Sequence, residues 1–302
     1  MSNELKKAYW LLHISILLFG FTAILGKKIS LDASVLVWHR LWITCLAIVF
    51  IPGVLKAIGS MTRKEIIRFM GIGIITSMHW LAFYGSIKLS NVSIALSCLA
   101  TTALFTSFIE PFFFKRKINP IEVILGVAVA IGIAIITHAT FGYEKGIMVG
   151  LLAAVLAAIF STLNKKYMQN HNPVTMTFLE LGTGFLFISV ILPFYFSKFP
   201  QTVFQPTAED WGWLLVLAIL CTAVAYVMAL MALKEISAFN SSLALNLEPV
   251  YGILMAMAFF DEQKELGFQF YLGTGIILLS VFLYPVMKRR QRKKQNKAAL
   301  AA

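Results

Sequence analysis

Charge is what this sequence lacks most. Only 13% of its 302 residues are Asp, Glu, Lys or Arg, where a soluble domain usually carries about a quarter. With 59% hydrophobic residues and a mean hydropathy of +0.81, too few polar side chains remain to cover a water-soluble fold. Cysteine is scarce as well. Cys45, Cys98 and Cys221 stand alone in separate apolar runs, which excludes a disulfide framework or a cysteine metal site and leaves them as small packing residues. No GxxxxGK[ST] stretch occurs, so nucleotide hydrolysis through a phosphate loop is excluded. The five histidines lie on separate elements, and no two acids share an apolar run. An intramembrane enzyme, which needs clustered acids, histidines or nucleophiles, is therefore disfavoured. No catalytic residue, metal site or cofactor is expected.

What the chain has in quantity is apolar runs of about 20 residues, the length a helix needs to cross the hydrocarbon core. Breaks of charge or turn residues divide it into ten predicted spans, at roughly 8–26, 34–55, 66–87, 91–114, 120–138, 147–164, 174–197, 211–233, 238–260 and 266–287. The opening "MSNELKKAYWLLHISILLFGF" has lysines ahead of its apolar run but no small-residue cleavage site, so it reads as a retained first helix. The expected fold is all-α and integral to the membrane.

The net charge of +12 is unevenly placed. Seven of the 26 Lys/Arg follow Val286 in "MKRRQRKKQNK", a tail without aromatic interleaving, which argues against nucleic acid and for anionic lipid. Counted on alternate sides of the predicted spans, 19 Lys/Arg fall on one side and 6 on the other, with Arg40 inside a span. That bias puts both termini in the cytoplasm. An even number of spans requires the same.

The sequence also matches itself. A shift of 147 residues lays "SNVSIALSCLATTALFTSFIEPFFFKRKINPIEVILGV" on "SAFNSSLALNLEPVYGILMAMAFFDEQKELGFQFYLGT", and "ILGKK" (24–28) pairs with "TLNKK" (162–166). The halves are thus five spans each, and an odd unit enters the membrane upside down the second time. The predicted units are 1–143 and 144–287, followed by a basic tail 288–302. Inverted repeats build alternating-access transporters with a site near the midplane.

"NLEPVYGILMAMAFFDEQ", with Pro249 and the Asp261–Glu262 pair, and "VLVWHRLW", with Arg40, resemble the ten-span EamA-type members of the drug/metabolite transporter superfamily. The likeness covers the whole chain. In the first half Thr102 stands where Pro249 stands, and Phe114–Lys115 replaces the acidic pair. The resemblance implies a secondary transporter, with export of amino acids or related metabolites across a bacterial inner membrane as the first expectation. It leaves room for a homodimer.

Glu248 is the residue that most needs explaining. It sits deep in the ninth predicted span, where a charge costs about 2.5–3.5 kcal/mol on insertion scales. Ser241, Ala244, Glu248 and Gly252 share a helical face with Tyr251 adjacent, while Ser242, Asn246 and Pro249 form a second stripe. Pro249 is expected to kink the helix and free the carbonyl of residue 245. By the repeat, Thr101 stands opposite Glu248.

Arg40 is placed to pair with a buried acid or a substrate carboxylate, and His39, Trp38 and Trp42 beside it read as interfacial. His79 has Thr76, Phe83 and Ser86 on its face, and Glu180 has Thr183 and Gly184 nearby. Glu110 ranks below Glu180. Tyr226 lies one turn after Thr222, so both can line a cavity. The small-residue series Gly126/Ala130/Ala134 and Gly150/Ala154/Ala158 read as packing seams. Arg40, His79, Thr101, Glu180, Tyr226, Glu248 and Tyr251 are therefore the candidate substrate or coupling residues. The expected function is alternating-access transport of a small molecule, with proton coupling through Glu248 or Glu180. A passive channel or lipid translocator is the alternative.

Overall fold

The computed structural model of the chain describes residues 3–301 except 116, 118–119, 140–141, 169–170, 236–243, 246 and 265. Among them every regular element is helical. The first half holds α1 (Asn3–Lys28), α2 (Ala33–Val49), α3 (Val54–Gly59), α4 (Arg63–Leu89), α5 (Val92–Leu99), α6 (Thr102–Phe114) and α7 (Pro120–Ala139). The second holds α8 (Glu144–Tyr167), α9 (Pro173–Lys198) and α10 (Ala208–Leu215), which runs through a π-helical stretch, Val216–Val224, into α11 (Ala225–Glu235). Then come α12 (Glu248–Phe260), a 3-10 turn at Glu262–Lys264, and α13 (Phe268–Ala301).

Six stretches are long and apolar enough to cross a bilayer: α1, α4, α5–α6, α8, α9 and residues Ala208–Ala232. Four shorter apolar helices, Ala33–Val49, Ile124–Ile136, Glu248–Phe260 and Phe268–Ser280, occupy the other four predicted spans. Large apolar side chains face outward, among them Trp10, Phe50, Phe112, Met148, Phe194 and Phe268, each more than 70% exposed. In water that surface would drive aggregation; in a bilayer it meets lipid.

Local chemistry sets the helix ends. Thr62 and Glu65 cap α4 reciprocally, as Thr207 and Asp210 cap α10, each box satisfying amides that have no partner inside the helix. Asn172 caps α9 ahead of Pro173, whose missing N–H costs nothing in a first turn. The second span is shorter than predicted because Pro52–Gly53 ends it, with Gly53 at φ +89°. The fourth is broken: α5 stops at Leu99, and the Thr101 hydroxyl donates to the Cys98 carbonyl at 2.6 Å.

The broken helix has a counterpart. α6 and α12 are each 13 residues long. They end on Lys115 (φ 52°) and Asp261 (φ 54°), the two non-glycine residues of positive φ among the described residues. These end caps, and the start caps Thr101 and Leu247, both lie 146 positions apart. The structure therefore registers the two helices one residue away from the sequence match, with Thr102 rather than Thr101 opposite Glu248. Helix packing has the same symmetry. α1 packs on α12 and α11, and α8 packs on α5–α6 and α4; α2 meets α9, and α7 meets α13. Exchanging α1–α7 with α8–α13 in chain order leaves this set of neighbours unchanged.

Close backbone approach holds the halves together. At Gly20 an added Cβ would lie 3.2 Å from both the Glu248 carbonyl oxygen and the Gly252 nitrogen, so α1 presses directly on the turn that carries Glu248. A Cβ on Gly73 of α4 would run into the Glu180 carbonyl, 2.8 Å from its carbon. Because that neighbour is backbone, α4 and α9 must separate to admit a methyl. We expect Gly73→Ala to destabilise the fold by about 1–3 kcal/mol, the usual cost of overpacking, seen as a lower thermal midpoint in detergent; an unchanged midpoint would count against this contact.

One expectation needs correction. The seam on α8 is real, since Gly150, Ala154 and Ala158 are buried. On α7, however, Ala130 and Ala134 are exposed, and the packed face is Leu125, Val129, Gly132 and Ile136, which meets Gly273 and Ile277 of α13. All-apolar helices carry no pattern to set their rotation. The basic segment after Val286 extends α13 to Ala301, because Lys, Arg, Gln and Ala favour helix and no Pro or Gly follows Pro285. His39 is buried in an aromatic cluster. It accepts from the Trp42 indole (3.1 Å), lies 3.1 Å from the Phe204 carbonyl, and is ringed by Trp38, Phe204 and Trp211.

Candidate functional site

Two polar centres lie within the bundle. The first is built on Arg40 of α2, 3% exposed. Its Nε donates to Thr222 Oγ1 at 2.8 Å and its Nη1 to the Tyr84 hydroxyl at 2.7 Å. The guanidinium carbon stands 3.7 Å from the centre of the Trp80 ring. A buried cation is costly unless hydrogen-bonded and paired, and here two hydroxyls and an aromatic face supply part of the compensation. Nη2 has no partner among the described residues. Thr222 belongs to the π-helical stretch, where its hydroxyl donates to the Leu217 carbonyl five residues back. Such wide turns are frequent at functional sites.

Glu248 opens α12 and is half-buried. It acts on Arg40 electrostatically, yet no ion pair within 4.0 Å joins the two. Nor does any described residue donate a hydrogen bond to its carboxylate. The two side chains thus interact electrostatically inside the bundle without an ion pair joining them. Pro249 sits in the first turn of α12, where a proline starts a helix instead of kinking one. Of the polar stripes predicted around Glu248, Ser241, Ser242 and Asn246 lie outside the described residues. Ala244 is buried, and Gly252 packs against Gly20 and Leu96.

The second centre is Glu180 of α9, 1% exposed. Its Oε2 accepts from Asn164 Nδ2 at 3.2 Å and from the Tyr226 hydroxyl at 3.3 Å, and Asn164 also donates to Tyr226 at 3.2 Å. This carboxylate is held where that of Glu248 is open. Thr222 and Tyr226, one turn apart, are divided between the two centres.

The remaining predicted residues are elsewhere. His79 places Nδ1 2.8 Å from the Ala153 carbonyl and its ring against Phe83 and Phe160, a satisfied packing position. Thr101 is buried at the α5–α6 break. Tyr251 packs with Ala8, Leu12 and Ile16. Glu110 pairs with Lys165. Sequence reasoning missed Trp80, Tyr84 and Asn164. The first two stand four apart on α4 and so share a face. Asn164 is the amide next to the Lys165–Lys166 pair. Both signals were readable, though neither named a partner.

Apolar helices long enough to span a bilayer define an integral, multi-pass membrane protein. Comparison gives the family. The EamA-like transporter family matches residues 6–138 and again 144–284, and the chain belongs to it. It is 26% identical over 307 aligned positions to the uncharacterized transporter YxxF of Bacillus subtilis, covering 97% of this chain and 93% of that one. An uncharacterized transporter of Clostridium kluyveri is 23% identical, with 97% and 96% covered. A solved crystal structure superposes with a TM-score of 0.62 at 15% identity over 94% of this chain and 99% of its own, a likeness of fold alone. The family and the relatives' names indicate a transporter rather than an enzyme.

Proposed function

We propose that the protein is a secondary transporter that exports small zwitterionic metabolites, such as amino acids, across the inner membrane by alternating access. One observation carries this reading: Glu248 interacts electrostatically with Arg40, yet no ion pair joins them and no described residue donates to the carboxylate. A ligand bearing a carboxylate and an ammonium group fills that arrangement, the carboxylate taking the free Nη2 of Arg40 and the ammonium taking Glu248. Glu180, whose Oε2 takes two hydrogen bonds and which stands apart from Arg40, is the coupling carboxylate, taking up a proton as the substrate leaves. A passive channel or lipid translocator needs a continuous polar path, and the tightly packed α1–α12 seam speaks against one.

The working topology is ten spans with both termini cytoplasmic and two inverted units, 1–143 and 144–287, followed by the basic segment 288–302. The 19:6 charge bias, the symmetric neighbour pattern and the matching caps of α6 and α12 support it. Partners under this reading are the substrate and anionic lipid. The test is a proteoliposome flux screen over a metabolite panel, with and without an imposed pH gradient. We expect saturable flux of an amino-acid-like solute, accelerated by the gradient. Flux that never saturates, or none for any zwitterion, would overturn the reading.

A further inference from the structure

The end of α1 is tied down by a carboxylate from the other half of the chain. Glu262 follows α12 and is 0% exposed. One of its oxygens accepts from Lys27 at 2.9 Å and from the Val92 amide at 3.0 Å; the other accepts from the Ser93 amide at 2.8 Å. Val92 and Ser93 begin α5, so Glu262 occupies the anion-favouring end of that helix while neutralising a lysine of α1. Lys27 also rests 4.6 Å from the Phe260 ring centre. Nearby, Asp210 accepts from the Ser30 amide (2.7 Å) and hydroxyl (2.6 Å), and Lys88 donates to the Ile29 carbonyl. Three elements converge on the few residues that close α1.

The opposite end has a related but weaker tie. Lys165 of α8, the repeat counterpart of Lys27, pairs with Glu110 of α6, and Lys166 donates to the Phe113 carbonyl at 3.2 Å. That pair is exposed by 39% and 21%, so water screens it. In the register set by the two end caps, where the second half has Asp261–Glu262 the first has Lys115–Arg116. A cavity of about 380 Å³, lined by Glu4, Lys7, Leu11, Asn172, Met231 and Glu235 among others, opens at that same end.

We propose that Glu262, with Lys27 and the first amides of α5, is the latch of the outer gate, and that the unequal strength of the two ties makes outward-closed the resting state. The inference rests on the transporter reading and topology above. It adds that the pseudo-symmetric lysines Lys27 and Lys165 take opposite roles: each tie must break when its own side opens. Alternating access needs two arrangements of similar free energy. Removing one anchor of the stronger tie shifts the population toward the open form.

The test places a reporter cysteine at Ala256, which is fully buried on α12 between the Gly20–Gly252 contact and the latch. Cys45, Cys98 and Cys221 are first replaced. In right-side-out vesicles, E262Q is expected to raise labelling of A256C by an impermeant maleimide about tenfold or more, the scale of lost charge-assisted hydrogen bonds. K27M, which leaves the helix amides bound, should give a smaller rise and carries the test if E262Q is poorly recovered. K165M should give none. An equal rise in K165M would mean general loosening and overturn the latch, as would no rise from either face while substrate flux persists. A rise seen only in inside-out vesicles, together with outside labelling of K117C instead of K145C, would uphold the latch and overturn the orientation.

Discussion

Arg40→Lys is expected to lower transport by about a hundredfold although the positive charge is kept. The guanidinium does three things in one plane: it donates from Nε to Thr222, donates from Nη1 to Tyr84, and lies over Trp80. A lysine ammonium is a compact point charge on a flexible stem and cannot reproduce that fork. Losing two charge-assisted hydrogen bonds at about 1.5–3 kcal/mol each exceeds what a hundredfold effect requires, since each factor of ten is about 1.4 kcal/mol. The measurement is initial flux in proteoliposomes at equal protein content, with Arg40→Met as the fully uncharged comparison. Wild-type flux in the lysine variant would reduce the cluster to a structural anchor and remove the substrate contact from Arg40.

Glu248→Gln should abolish both gradient-driven uptake and substrate exchange, again by about a hundredfold, because the site loses the anion that faces the ligand's ammonium. The substitution keeps shape and hydrogen-bonding capacity while fixing the neutral state. Stability should move the other way. No described residue donates to this carboxylate, so removing its charge relieves a desolvation cost that outweighs its attraction to Arg40, and the thermal midpoint in detergent should hold or rise. Exchange that survives while gradient-driven uptake fails would transfer Glu248 from substrate binding to proton coupling. Wild-type behaviour in both assays would make the carboxylate structural, and the paired-charge reading of the site would fall.

Much of the architecture was readable from composition and order. In hydrocarbon every backbone N–H and C=O must be satisfied within the chain, so apolar runs of sufficient length have to be helical. Capping residues such as Thr62, Asn172 and Thr207 mark where those helices begin. The repeat was legible for the same reason: span and loop boundaries keep step across the two halves. Glu248 and Arg40 stood out as charges in the wrong solvent, a signal that survives without any knowledge of contacts.

What the linear order does not contain is helix rotation and partner choice. Lipid is as apolar as leucine, so a membrane helix lacks the amphipathic stripe that tells a soluble helix which face to bury. The packed face of α7 differs from its small-residue series for that reason. Arg40 meets Thr222 and Tyr84 across 182 and 44 positions. Glu262 finds Val92 across 170. Glu180 accepts two hydrogen bonds and Glu248 accepts none from the described residues, although both are lone acids in apolar spans. Only the packing of α1, α4, α8, α9 and α12 at backbone contact decides which carboxylate meets donors and which meets none among the described residues.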